Sequence, residues 1–361
     1  MTAVVFRSSL DAQLRAALVL SDVLRTPVLS WTARALTSEP RVDDRAVVAG
    51  APTTVVRPGR GDRWPALVFV NGATELGRHH PDVERLAEGL ARAGFLVLVP
   101  DLPGLSRGEI TERTRRATIA VVRAAAERPD ARGDRVALVG VSVGMSLALL
   151  AAEDPSLARR VSVVGGIAPY TDLRHVIRVA TTDTYAEDGR ILRYDADPFV
   201  ALALARSLVA GVPPGTERNN LLRALLAVPD ESPDPLAVLP NPDAVRGGLR
   251  AVVRLLLNRE PARFAGLYAA LPAGMRAELR RLSPLRGAHR LRAEVQLASA
   301  PHDKYFPLGE SRTLARATRA PVELTVTRTL QHAVPEPSLR DVWDLLRFDG
   351  FVVRTLRAAR S

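Results

Sequence analysis

Residues 135–155 read RVALVGVSVGMSLALLAAEDP. Arg135 to Gly140 is an apolar, Val-rich run of the kind that fills a buried strand. Ser142 to Ala152 continues as an apolar helix, so a serine stands at the join, between Gly140 and Gly144. In a G-x-S-x-G turn from strand to helix, the serine takes strained backbone angles that lift its Oγ clear of the sheet. The glycines are needed because such a turn brings the helix and strand backbones together. The helix N-terminus below the serine adds partial positive charge where an oxyanion would form. The stretch therefore predicts a nucleophile at Ser142.

Outward from the turn, strands and helices alternate. ALVFVN (66–71), FLVLVP (95–100), RVALVG (135–140) and VSVVGGI (161–167) read as buried strands, and Thr53 to Val56 as a short earlier one. Between them, Pro81 to Ala93 has helical spacing and stops at Gly94, and Thr111 to Arg128 is a helix closed by Pro129. This order predicts an α/β fold with a mostly parallel sheet covered by helices on both faces. From Tyr170 to Leu291 the alternation stops, and the stretch reads as proline-punctuated helices without a strand. AEVQLAS (293–299) and VELTVT (322–327) then resume the sheet, with a helix at 309–318 between them and a last helix from Ser338 to Ala358. The expected organisation is an N-terminal helical segment (1–45), a core (46–169 and 292–361) and a helical cap (170–291) inserted before the last two strands.

Composition narrows the function classes. A chain of 361 residues can bury a large core, and 47% apolar with 25% charged residues is ordinary for a globular protein. No cysteine is present, which excludes disulfides, thiolate metal sites and a cysteine nucleophile. The net charge of +11 raises the question of nucleic acid, but the basic residues are dispersed and all but Lys304 are arginine, as codon bias would produce. Aromatic residues at 4% are too few for a base-stacking platform. Nucleic acid is therefore not the expected partner. Leu10 to Leu36 reads as a helix with Leu10, Leu14, Ala17, Leu20 and Leu24 on one face, interrupted by Asp11, Arg15, Asp22 and Arg25. No run approaches the ~20 apolar residues of a membrane span. The run from Ala16 to Leu20 falls short of a signal-peptide core of ~7–15 residues, so a cytoplasmic location is expected.

The elbow, the alternation and the late insertion together resemble the α/β-hydrolase superfamily, in particular capped serine hydrolases of the dienelactone-hydrolase or prolyl-oligopeptidase-like type. The resemblance covers residues 50–355. It implies a triad in the order serine, acid, histidine, with the acid after a late strand and the histidine after the last one. LASAPHDKYFP places Asp303 at the first position and TRTLQHAVPEPS places His332 at the second. A histidine's ordinary pKa of ~6.5 suits it to take the serine proton and return it, while the acid holds its tautomer. Asp172, in GGIAPYTDL after the strand 161–167, is the alternative acid; it also fits the cap of the helix that opens the insertion. Of the other histidines, His79 and His80 open a helix at the pocket edge or surface, His175 and His289 belong to the cap region, and His302 shapes the acid's loop. The resemblance further implies an oxyanion hole from the backbone N–H of Val143 and of Ala73, with Thr74 next in line. The usual His-Gly of that loop is here Asn71-Gly72. A backbone donor survives that exchange.

The expected activity is therefore hydrolysis of an ester or related acyl compound, through an acyl-enzyme on Ser142, without metal or organic cofactor. A small-molecule acyl substrate is the expected partner, and homo-oligomer formation stays open. The same triad would serve a thioesterase, a peptidase or an acyltransferase, and the fold alone would suit a non-catalytic binding protein.

Overall fold

Strands that are apolar on both faces are stable only between two layers of helices, and the computed structural model of the chain has that arrangement. It describes residues 13–17, 19, 37–332, 334–335 and 342–360. Along the chain run β1 (Arg41–Val48), β2 (Ala51–Arg57), β3 (Trp64–Val70), helix α1 (Pro81–Arg92), β4 (Leu96–Pro100), α2 (Glu112–Ala126), β5 (Ala131–Val141), α3 (Val143–Ala152) and β6 (Val161–Ile167). The insertion follows, with α4 (Leu173–Thr182), β7 (Thr184–Glu187), β8 (Arg190–Arg193), α5 (Pro198–Ala210), α6 (Thr216–Leu226), α7 (Gly247–Leu256), α8 (Phe264–Ala269) and α9 (Ala273–Arg281). The chain returns through β9 (Glu294–Ser299), α10 (Leu308–Ala317), β10 (Val322–Val326) and α11 (Val342–Ala358).

The main sheet has eight strands in the order β1-β2-β4-β3-β5-β6-β9-β10. Only β2 runs against its neighbours; the pairs from β4 to β10 are parallel. The period of two along β3 sorts its side chains between the layers. Leu67 and Phe69 pack with Val83, Ala87 and Leu90 of α1 and Leu356 of α11. Val68 and Val70 pack on the other face with Val121 and Val122 of α2 and Leu149 of α3. Each such side chain contributes about 1.5–3 kcal/mol by leaving water. β6 pairs with β9 in parallel, so the sheet continues across the insertion as though it were absent.

The insertion is seated on the core by buried polar groups. Arg206 of α5 donates to the carbonyls of Arg107, Leu225 and Val228 and to Asp230, so every nitrogen of its buried guanidinium has an acceptor. Ser207 accepts from Ile110 N and donates to Ala203 and Gly108 carbonyls.

Two expectations need correction. The insertion does contain strands: β7 and β8 form an antiparallel hairpin. Its turn, Asp188-Gly189, has φ of +49° and +77°, the geometry that an Asp-Gly pair favours between two strands. The arms are short and largely exposed, so they lack the apolar alternation by which a strand is recognised. Residues 41–45, assigned above to the N-terminal helical segment, belong instead to β1. Its run of Arg, Asp, Asp and Arg suits an exposed edge strand, and a bulge between Asp43 and Ala46 breaks the alternation. Of the helix expected over Leu10 to Leu36, residues 13–17 and 19 are helical and the rest lies outside the described residues, as does the expected start of the last helix at Ser338. Among the described residues no helix is long and apolar enough to cross a membrane.

Candidate active site

Ser142 sits between β5 and α3 with φ 56° and ψ −127°, a conformation that costs a non-glycine residue about 1–3 kcal/mol. The surroundings enforce it. Ser142 N donates to Ile167 O of β6 at 2.8 Å, and Met145 N to Ser142 O at 3.0 Å. A Cβ on Gly144 would lie 2.1 Å from Val70 O, and one on Gly140 would lie 2.6 Å from the Met145 backbone. Both motif glycines are therefore required by close approach. Gly166 of β6 is a third, since its Cβ would stand 2.1 Å from Gly140 O. Ser142 makes no side-chain cap on α3, and every residue of that helix is buried. Among the described residues, neither the Val143 nor the Ala73 amide has an acceptor.

His332 has φ 56° and opens the turn between the short pairings Leu330–Pro335 and Gln331–Val334. Its Nδ1 lies 2.9 and 2.8 Å from the two carboxylate oxygens of Asp303. Both residues are buried, at 4% and 5% exposure. Asp303 Oδ1 also accepts from the amides of Tyr305 at 2.8 Å and Phe306 at 3.1 Å, which fixes the carboxylate in its own loop. The Tyr305 ring packs edge-on against the imidazole, 4.3 Å between centroids. Such a pair holds one tautomer, with Nδ1–H on the carboxylate and Nε2 as the free acceptor.

Ser142 and His332 line one cavity of about 870 Å³, with Gly72, Ala73 and Val143 beside them. The insertion lines it too, with Phe199, Leu204 and Leu208 of α5 and Met275 and Leu279 of α9. Asp82, Arg85, Glu278 and Lys304 also line it, so the cavity joins apolar walls to charged groups, and a concave site of this size is the usual form of a small-molecule pocket.

This architecture is similar to that of an acylaminoacyl peptidase from Pyrococcus horikoshii, with a TM-score of 0.51 and 12% identity, covering 91% of this chain and 44% of that one. The fold is that of the α/β-hydrolases. The chain spans less than half the length of that peptidase. A thermostable esterase from Pseudomonas putida ECU1011 is similar at a TM-score of 0.46 and 15% identity, over 91% of this chain and 88% of that one. Est1E from Butyrivibrio proteoclasticus is similar at 0.47 and 11%, over 88% and 99%. No family model matches the sequence, and no curated protein does.

Within this α/β-hydrolase fold, Asp303 is the carboxylate on the histidine and Asp172 is not. Asp172 Oδ1 caps α4 by accepting from Arg174 N at 2.9 Å, and Oδ2 pairs with Arg286 at 2.8 Å. Its loop is fixed by buried Glu310, whose Oε2 accepts from the amides of Thr171 and Asp172 at 2.6 and 2.9 Å. Glu310 Oε1 lies 3.3 Å from His175 Nδ1, and this carboxylate holds the His175 imidazolium above the ordinary histidine range. Asn71 is buried and its amide donates to Gly72 O at 2.9 Å, closing the loop that carries Ala73. His80 caps α1 by accepting from Asp82 N and lines the cavity, whereas His79 faces Glu84 and His289 and His302 are exposed.

Tyr170 lines the cavity too, and burial pushes its hydroxyl up. The Glu153 carboxyl, at the end of α3, is pushed up to about 9 by burial, against the opposing pull of Arg290 and Arg115. Sequence reasoning missed Tyr170, Tyr305 and the α5 and α9 walls. No motif marks such residues, because they reach the site through packing. Among the described residues no cluster of three or more His, Asp or Glu is placed to hold a metal ion.

Proposed function

We propose that the chain is a serine hydrolase that cleaves carboxylic esters through an acyl-enzyme on Ser142. The observation that carries this reading is a single cavity lined by Ser142, on its strained turn, and by His332, whose Nδ1 is held by buried Asp303. In this reading Ser142 Oγ attacks the ester carbonyl carbon while its proton passes to His332 Nε2. Asp303 stabilises the imidazolium, and the amides of Val143 and Ala73 receive the oxyanion. The tetrahedral intermediate collapses, the C–O bond breaks, and His332 returns the proton to the departing alcohol. Water then attacks the acyl-enzyme with His332 as base, releasing the acid and freeing Ser142.

Residues 170–291 are the cap of this reading, and residues 46–169 with 292–361 its catalytic core. The cap's apolar walls suit a substrate with a hydrocarbon chain, each buried CH₂ of which contributes about 0.8 kcal/mol. A fluorophosphonate probe tests the nucleophile. We expect one probe per chain, none on Ser142→Ala, and ester hydrolysis lost with the label. Labelling that survives in Ser142→Ala refutes the assignment. Turnover confined to thioesters or amides in a matched substrate panel moves the reading to a thioesterase or a peptidase.

A further inference from the structure

The loop that carries Asp303 is held from the insertion as well as from the core. The Tyr194 hydroxyl, just past the β7–β8 hairpin, donates to the carbonyl of Asp303 itself. One residue on, Asp197 N donates to Lys304 O at 2.7 Å, and Asp197 Oδ2 lies 3.7 Å from Lys304 Nζ. That ammonium belongs to the only lysine of the chain and lies 4.7 Å from the centre of the Tyr305 ring, which packs on His332. Phe199, in the first turn of α5, meets the same ring edge-on at 6.2 Å. Two consecutive carbonyls of the acid loop are thus bonded by residues 194–197, and the aromatic stack continues from them to the imidazole.

We infer that Tyr194 is a positioning residue for the Asp303–His332 pair, and that through it the insertion sets the catalytic geometry as well as covering the cavity. The inference rests on the reading of Asp303 as the acid. Asp303 holds itself to its loop through the Tyr305 and Phe306 amides, so its carboxylate follows wherever that loop goes. The carbonyl bonded by Tyr194 is one residue's length from that carboxylate, and a displacement of about 1 Å at a catalytic group is enough to slow a reaction severely. Burial and the nearby Asp303 push the Tyr194 phenol up, so it remains a donor throughout the working pH range. The hairpin that delivers Tyr194 is closed by Tyr194 N on Asp183 O at 2.9 Å and tied to α10 by Arg312 on Glu187 and Arg316 on Asp188. Removal of the hydroxyl therefore takes away one of the two bonds that hold the acid loop from the insertion and leaves the hairpin in place.

The test compares Tyr194→Phe, Tyr185→Phe and Asp303→Asn with the wild-type chain, by kcat and KM on an activated ester. Tyr185 stacks edge-on with Tyr194 at 5.8 Å, and its hydroxyl turns to Glu187, so its variant disturbs the hairpin without touching the acid loop. We expect Tyr194→Phe to lower kcat about five- to tenfold, the population loss that one missing hydrogen bond produces, with KM within about twofold. Tyr185→Phe retains wild-type kcat and KM. Asp197→Asn keeps the α5 cap and the Tyr194 bond, drops only the charge facing Lys304, and shows a smaller loss of the same sign. Wild-type kcat in the folded Tyr194 variant, a loss carried by KM instead of kcat, or equal losses in both tyrosine variants, overturns the inference. Wild-type kcat in Asp303→Asn instead overturns the assignment of the acid, and the inference with it.

Discussion

Glu153 provides a measurement independent of any substrate. Its side chain closes α3, is 3% exposed, and has an Oε1 that finds no hydrogen-bond donor among the described residues. Gly287 makes the room for it, since a Cβ there would lie 2.0 Å from Glu153 Oε2. Burial holds the carboxyl at a pKa of about 9, against an ordinary 4.5. Between those values the folded chain keeps the proton and the unfolded chain loses it. Stability is then full below pH 4.5, declines as pH rises, and levels off above 9. The slope is about 1.4 kcal/mol per pH unit, or about 4 kcal/mol from pH 5 to pH 8. With an unfolding entropy of about 2.1 cal/mol/K per residue, that difference is about 5 °C in the Tm of 361 residues. Glu153→Gln keeps the shape of the neutral carboxyl and cannot ionise. We expect thermal melts of the two proteins to nearly coincide at pH 5 and to separate steadily, with the variant higher by about 5 °C at pH 8. Parallel curves of Tm against pH refute the argument, because they mean that Glu153 titrates alike in the folded and unfolded chains.

Asp303→Asn favours the wrong histidine tautomer and should lower kcat by up to ~10⁴, whereas Asp172→Asn should chiefly lower Tm, since its carboxylate caps α4 and meets Arg286. Steady-state kinetics beside thermal melts separate the two. Gly144→Ala puts a methyl group 2.1 Å from Val70 O, where only backbone can yield; fluorophosphonate labelling should fall at least tenfold even where circular dichroism shows folded protein. Leu279→Trp fills part of the cavity that α9 lines. A chain-length series of esters should show its optimum shift to shorter acyl groups while labelling of Ser142 continues.

What could be read without coordinates is what lies contiguous in the chain. The elbow is a strand, a serine between glycines and a helix, so Gly140, Ser142 and Gly144 announce the turn by themselves. The parallel sheet is equally legible, because strands buried on both faces are uninterrupted apolar runs, and the helices between them carry their own stops at Gly94 and Pro129. Other features depend on which groups meet across the fold. Asp172 and Asp303 both follow strands, and only the folding of their loops turns one to Arg286 and the other to His332. Gly166 is required by the approach of β5, a neighbour that its own surroundings in the chain do not reveal. The β7–β8 hairpin left a signal in Asp188-Gly189, but arms largely open to solvent carry no periodic apolar face to confirm it. Tyr194 shows the limit most plainly. A tyrosine in a polar stretch has no local mark of its role, and its bond to the Asp303 carbonyl spans 109 positions of sequence. Local propensity and periodicity act over a few turns of chain, whereas the partners of a buried polar group are chosen by the packing of whole elements.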